Sequence, residues 1–163
     1  MFGNPVIDAL VFIFPAYCAN AVPVIFGGGF PIDCGRLFWD GKPIFGSHKT
    51  VRGFVSGLVV GALVGFGLSL LVDYGVLLGF VISLGALLGD LAEAFVKRRL
   101  GFAPGASFPV ADQLDFVVGA LLFSLFVSPP SWEVALAVFL ITPPIHLLTN
   151  IFAYLVGVKK DPW

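Results

Sequence analysis

Five apolar runs, near residues 5 to 27, 52 to 72, 76 to 96, 111 to 128 and 133 to 157, each reach or approach the roughly 20 residues that carry a helix across a bilayer. Nothing constrains this chain more. In hydrocarbon every backbone polar group must find its partner inside the protein, so such runs fold as helices. The expected fold is therefore an all-α integral membrane protein, a bundle of five transmembrane helices. Composition agrees: 58% of the residues are apolar and 12% charged, about half the charged share usual in soluble domains. Mean hydropathy is +1.01.

The net charge of −1 hides a strong asymmetry. All nine basic residues fall in three places: Arg36, Lys42, Lys49 and Arg52 after the first run, Lys97 to Arg99 after the third, and Lys159 with Lys160 at the end. The connections near 73 to 75 and 129 to 132 carry no Lys or Arg. With five spans, the three basic places share one side, which the positive-inside rule makes the cytoplasm. The N-terminus is then expected outside, the C-terminus inside, and the loops 28–51 and 97–110 in the cytoplasm. The first run lacks a basic leader and carries Pro15, Asn20 and Pro23, so it reads as a retained helix and not a cleaved signal. Cys18 and Cys34 define neither a disulfide framework nor a thiolate metal site.

Residues 1–163 read as a single transmembrane domain, with no soluble portion large enough to fold alone. Gly53, Gly57, Gly61 and Gly65 recur every fourth residue and leave one helical face bare, so a neighbouring helix can approach closely. Gly85 and Gly89 repeat the device on the third span. The segment from Gly27 to Lys49 is long for a connection, and long ordered loops often carry function. Its Gly27-Gly28-Gly29 run lacks the context of a phosphate-binding fingerprint and reads as a turn; Phe38, Trp39 and Phe45 suit an interfacial anchor.

The chemical signal lies between residues 89 and 115, where four acids and three bases interrupt the apolar sequence. Ionisable groups near bilayer depth persist where they pair, bind ions or face a wet cavity. On a helix, Asp90, Glu93 and Lys97 share one face, and Asp112 and Asp115 share one face at the start of the next span. A loop rich in Gly and Pro, with Gly101, Pro104, Gly105 and Pro109, joins the two helix ends and can bring Asp90 opposite Asp112 and Asp115. Three carboxylates at close range repel unless a cation sits between them. Hard oxygens without a Cys or His cluster favour magnesium or manganese over zinc.

Beside this candidate metal site, Lys97, Arg98 and Arg99 are donors suited to phosphate oxygens. Lys49, Thr50 and Arg52 open the second span on the same side and can complete a polyphosphate pocket. Blander readings stand alongside: the basic triple can anchor at headgroups, Thr50 can cap its helix, and Arg52 can snorkel. Thr142, His146 and Asn150 follow at fourfold spacing in the last span, beside a kink expected at Pro143-Pro144. Asn20 is a candidate reader of a nucleotide base, and His48 reads as a solvated loop residue.

At these residues the chain resembles the archaeal CDP-archaeol synthases. The resemblance rests on Pro15-Ala16-Tyr17 with Asn20, Phe26 to Gly29, Pro31-Ile32-Asp33, Gly35-Arg36, Asp40-Gly41, Lys49-Thr50 and Arg52-Gly53. It continues through Gly89-Asp90, Lys97 to Arg99, Gly101 and Pro109 to Asp112-Gln113-Leu114-Asp115. A more distant similarity links it to the CDP-diacylglycerol synthases, whose terminal Asp-Arg-x-Asp has Gln113 in place of Arg here. The archaeal pattern is departed from at Ala94, Val51 and Ser47-His48.

The resemblance implies cytidylyl transfer from CTP to a lipid phosphate, 2,3-di-O-geranylgeranylglycerol 1-phosphate, within the bilayer. The products are a CDP-activated archaeol precursor and pyrophosphate. It implies Mg2+, with Mn2+ as substitute and a second cation admitted, on Asp90, Asp112 and Asp115. Lys97, Arg98, Lys49, Thr50, Arg52 and Asn20 are the implied substrate contacts. The partners expected are CTP, the isoprenoid lipid and the cell membrane, not nucleic acid. Other activities weighed are a CTP-dependent polyprenol kinase, which would release CDP, and a cation transporter or membrane scaffold. A CDP-alcohol head-group transferase is disfavoured, because Asp40-Gly41 is followed by Lys-Pro-Ile-Phe and not by that signature.

Overall fold

The computed structural model describes residues 2–108 and 110–158. Pro109, Lys159 and Lys160, which entered the sequence argument, lie outside the described residues. The regular elements are five helices: α1 Pro5–Phe26, α2 Val51–Leu71, α3 Leu78–Arg99, α4 Ala111–Ser124 and α5 Trp132–Leu155. Asn4, Thr50 and Ser131 start α1, α2 and α5 as side-chain caps, accepting from amides of the first turn.

Among the described residues four helices are long and apolar enough to cross a membrane: α1, α2, α3 and α5. The fourth expected span is shorter than its apolar run. α4 has 14 residues, about 21 Å at 1.5 Å per residue, against a hydrocarbon core of roughly 30 Å. It stops at Ser124, and the chain turns through residues 125–127 ahead of Ser128-Pro129-Pro130, where residues preceding proline disfavour helix. α3, by contrast, runs through Arg99, so Lys97 to Arg99 form its last turn and the second loop begins at residue 100. Cations there also suit the negative end of the helix dipole. α5 continues as helix through Pro143-Pro144.

Ala9, Phe12, Ile13 and Ala16 of α1 pack with Ile82 and Ala86 of α3, Phe116, Val117 and Ala120 of α4, and Val134 and Val138 of α5. α2 adds no fully buried large side chain to this core; only Leu68, partly buried, packs against it. Its buried residues are Gly53, Gly57, Gly61 and Gly65, the stripe read from the sequence. A Cβ on Gly57 would strike the Ala19 carbonyl, one on Gly61 would strike Ser83, and one on Gly65 would strike the Gly79 backbone. In lipid there is little hydrophobic drive between helices, so this close van der Waals approach holds α2 in place. Its other face exposes Val55, Val59, Leu63, Phe66 and Leu70.

Candidate active site

The loop between α1 and α2 is organised around one carboxylate. Asp33 is buried and accepts from Gly35 N through Oδ1 and from Phe45 N and Gly46 N through Oδ2, each at 2.9 Å. Burial works against its charge, but the amide donors of Gly46, Phe45 and Gly35 prevail and hold its pKa below the ordinary carboxylate value. Cys34 and Gly35 both adopt positive φ, 56° and 70°, in the turn that brings the Gly35 amide back to Asp33.

The loop is fastened at both ends. At its root, Thr50 Oγ1 accepts from Gly28 N and Gly53 N at 3.2 Å. Arg52 donates from Nε to Phe26 O at 2.7 Å and from Nη2 to Gly27 O. At its far end Arg99 pairs with Asp40 at 2.8 Å and donates to Pro43 O. Its guanidinium lies 5.0 Å from the Phe38 ring centre and 4.5 Å from that of Phe95. Lys42 Nζ donates to Arg99 O at 2.9 Å.

This fastening lays the loop over an ionic cluster at the ends of α3 and α4. Lys49 Nζ reaches both oxygens of Asp90, at 2.6 and 2.7 Å. Burial opposes the Lys49 charge, yet Asp90, with Asp115 and Glu93 beyond it, raises its pKa above the ordinary lysine value. Lys97, only 7% exposed, bonds Asp112 Oδ1 at 2.7 Å across to α4 and Glu93 at 3.3 Å on its own helix. The second oxygen of Asp112 accepts from Phe108 N at 3.0 Å. Arg98 is 4% exposed, and its Nε and Nη1 have no hydrogen-bond partner among the described residues. It forms none of the ion pairs found among them.

The structure thus brings Asp90, Asp112, Asp115, Lys97 and Lys49 together, with Arg98 under Gly46 of the loop. Thr50 and Arg52 have their hydrogen-bonding groups engaged at the loop root. Asn20 is half-buried on α1 and makes no side-chain hydrogen bond among the described residues. Thr142 donates to Val138 O at 2.6 Å, leaving Tyr17 to donate to it at 2.8 Å. His146 contacts Asn150 at 3.2 Å and stacks near Phe116. Sequence reasoning placed Glu93 on the correct face but gave it no role, and missed the joint work of Arg99, Asp40 and Phe38. No spacing rule links residues so far apart in the chain.

Among the described residues no three His, Cys, Asp or Glu side chains form a metal-binding group. What stands there is Asp90 bound by the Lys49 ammonium, with Asp115 in its field. That ammonium occupies a position where acidic oxygens gather around positive charge. Magnesium is commonly held by one or two carboxylates completed by phosphate oxygens and water. The donor set fits a cation arriving with a polyphosphate, and not one caged by protein alone.

Carboxylates, lysines and a buried guanidinium with two nitrogens unpartnered among the described residues, at the mouth of an apolar bundle, define an intramembrane enzyme that handles phosphate groups. A family model described as CarS-like, CDP-archaeol synthase, matches residues 2–163. The chain belongs to that family. It is 42% identical to the CDP-archaeol synthase of Methanocaldococcus jannaschii over 100% of both chains. It is 43% identical to that of Methanococcoides burtonii over 91% of this chain and 99% of the other. With the Methanopyrus kandleri CDP-archaeol synthase it shares 45% identity over 94% and 91%. A solved structure described as an intramembrane enzyme for archaeal membrane lipids biosynthesis superposes with a TM-score of 0.84 at 37% identity, covering 90% of this chain and 94% of that one. The chain is accordingly a multi-pass membrane cytidylyltransferase of archaeal lipid biosynthesis.

Proposed function

We propose that this enzyme transfers the cytidylyl group of CTP to 2,3-di-O-geranylgeranylglycerol 1-phosphate at the cluster of Lys49, Asp90, Asp115, Lys97 and Arg98. We place that cluster on the cytoplasmic side, with five membrane-embedded helices and the N-terminus outside. The observation that carries the reading is Arg98, a buried guanidinium whose Nε and Nη1 have no hydrogen-bond partner among the described residues. A buried charge without a partner is costly, and a phosphate supplies what the fold withholds.

In the reaction an oxygen of the lipid phosphate attacks the α-phosphorus of CTP. A new phosphorus–oxygen bond forms, the bond from the α-phosphorus to the oxygen bridging to the β-phosphorus breaks, and pyrophosphate leaves with that electron pair. The acceptor is already anionic near neutral pH, so no strong general base is needed. The work left to the protein is positioning and charge stabilisation. Arg98 and Lys49 present positive charge to the triphosphate. Asp112 holds Lys97, through the 2.7 Å contact, at the junction of α3 and α4. Asp90 and Asp115 would hold magnesium, whose contribution is to neutralise charge on the phosphates. Asp112, expected from the sequence as a third ligand, stays in that set; here it accepts from Lys97 and the Phe108 amide, as Asp90 accepts from Lys49. Arg52 and Thr50 support the site from the loop root. Asn20, whose side chain makes no hydrogen bond among the described residues, is left as a contact for the nucleotide.

The test is turnover of CTP labelled at the α-phosphate, with magnesium and the isoprenoid glycerol phosphate. Label should enter the lipid with one pyrophosphate released per lipid; release of CDP would identify a kinase instead. Asp90→Asn and Asp115→Asn should each lower turnover by on the order of 10²- to 10³-fold in protein that stays folded. Wild-type rates in either variant would remove the metal assignment.

A further inference from the structure

On the lipid-facing side of the bundle, α3 and α4 meet backbone to backbone. A Cβ on Gly89 would strike Asp115 O, and one on Gly119 would strike Gly85 O. Because Gly89 and Gly119 contribute no side chains, the seam above them is a valley. It has a volume of about 640 Å³, with both glycines in its floor, inside the range of roughly 300–1,000 Å³ typical of small-ligand sites. Val96 of α3 and Leu114, Val118 and Leu122 of α4 form its apolar walls. Val118 and Leu122 are 42% and 56% exposed, so the valley opens sideways to the bilayer. Its lining also includes Glu93 and Asp115, the carboxylates that belong to the ionic cluster. Lys97, held between Glu93 and Asp112, stands at that polar end.

We infer that this valley seats an isoprenoid chain of the acceptor lipid and delivers its phosphate from the bilayer to the Lys97 end of the cluster. The inference rests on the acceptor proposed above. Three observations select a lipid chain as occupant. The walls are apolar and open at bilayer depth, where such a chain already resides. The floor is backbone at Gly89 and Gly119, and no described side chain fills the space above it. The valley is also continuous with the ionic cluster through Glu93 and Asp115, with a cation at the junction to meet an anionic headgroup. The nucleotide, being charged, has no reason to lie along Val118 and Leu122. The two substrates therefore approach by separate routes, and blocking one should leave the other intact.

The test fills the valley and reads the two substrates separately, with the full chain in liposomes. Val118→Trp and Leu122→Trp should each raise KM for the isoprenoid glycerol phosphate about tenfold while KM for CTP stays within about twofold. Leu148→Trp, on the exposed lipid face of α5, should change neither. In parallel, an isoprenoid glycerol phosphate carrying a photoreactive group on its chain should crosslink to α3 and α4 of the wild-type protein, competed by the unlabelled lipid. Unchanged acceptor KM in both valley variants, or competed crosslinks confined to α1, α2 or α5, would overturn the inference. A wild-type protein that incorporates no label from CTP would sink the acceptor reading itself, and the crosslinking map then decides the valley alone.

Discussion

On its α2 side, α3 sets Gly79 against Gly65 and Ser83 against Gly61; on its α4 side it sets Gly85 and Gly89 against Gly119. The same device produces a closed seam in one place and an open valley in the other. The difference lies in a third helix. α1 contacts both α2 and α3, and its Pro15 carbonyl, Ala19 carbonyl and Pro23 ring back the glycine stripe of α2. The lipid side of the α3–α4 seam has no such backing, and residues such as Val96 and Leu122 are left half-exposed. Small residues thus determine how near two helices come, while the neighbour behind them determines whether the gap is sealed.

Substitutions should fail differently on the two sides. Gly65→Leu forces a side chain into the Gly79 backbone and should abolish monodisperse folded protein on size exclusion in detergent. Gly67→Ala on the same helix has nothing within 4 Å of the added Cβ; it should leave the elution profile unchanged and raise stability by up to about 1 kcal/mol, the Ala-over-Gly preference. Normal folding of Gly65→Leu would erase the distinction between sealed and open seams. On the site side, Arg98→Met should weaken CTP binding by roughly 10- to 100-fold, the loss of about 1.5–3 kcal/mol from a charged hydrogen bond. Its melting temperature should hold or rise, because a buried charge with no ion pair among the described residues is removed. Titration of CTP against both proteins checks this, and equal affinities would reassign Arg98 to structure.

The smallest effect belongs to the loop that covers the site. Asp33 has a depressed pKa in the folded protein. Its contribution is therefore complete above the ordinary carboxylate pKa and is lost as pH falls through the lower folded value. At pH 7, Asp33→Asn should speed amide exchange across residues 27–50 by about 5- to 30-fold, equivalent to roughly 1–2 kcal/mol. On acidification the wild-type loop should converge on the variant. A gap between them that stays constant down to pH 2 would show that the carboxylate charge does not organise the loop.

The packing frame was readable because fourfold glycine spacing is a local signal, and the seam of α2 follows from it. The end of α4 was also written locally, in Ser128-Pro129-Pro130, but was overridden in the reading by the apolar run that continues past Ser124. The site was half legible. Asp90, Asp112, Asp115, Lys49 and Lys97 have the right types at the right helix ends, and they do assemble. Their pairing was not legible, since Lys49 with Asp90 and Lys97 with Asp112 could have been exchanged without altering any local pattern. Thr50 and Arg52 show the same ambiguity: the donors that would suit a phosphate also suit the carbonyls of a loop root. Arg98 and Arg99 are adjacent in sequence, yet one lacks an ion pair among the described residues while the other is held by Asp40, Phe38, Phe95 and Pro43.

The brevity of α4 has a consequence for the lipid around it. Beside neighbours of 22 and 24 residues, a 14-residue helix matches a slab of hydrocarbon thinner than the roughly 30 Å core, and isoprenoid chains next to it would have to compress or tilt to avoid stranding polar backbone. Any such thinning would fall along the flank that carries Val118 and Leu122.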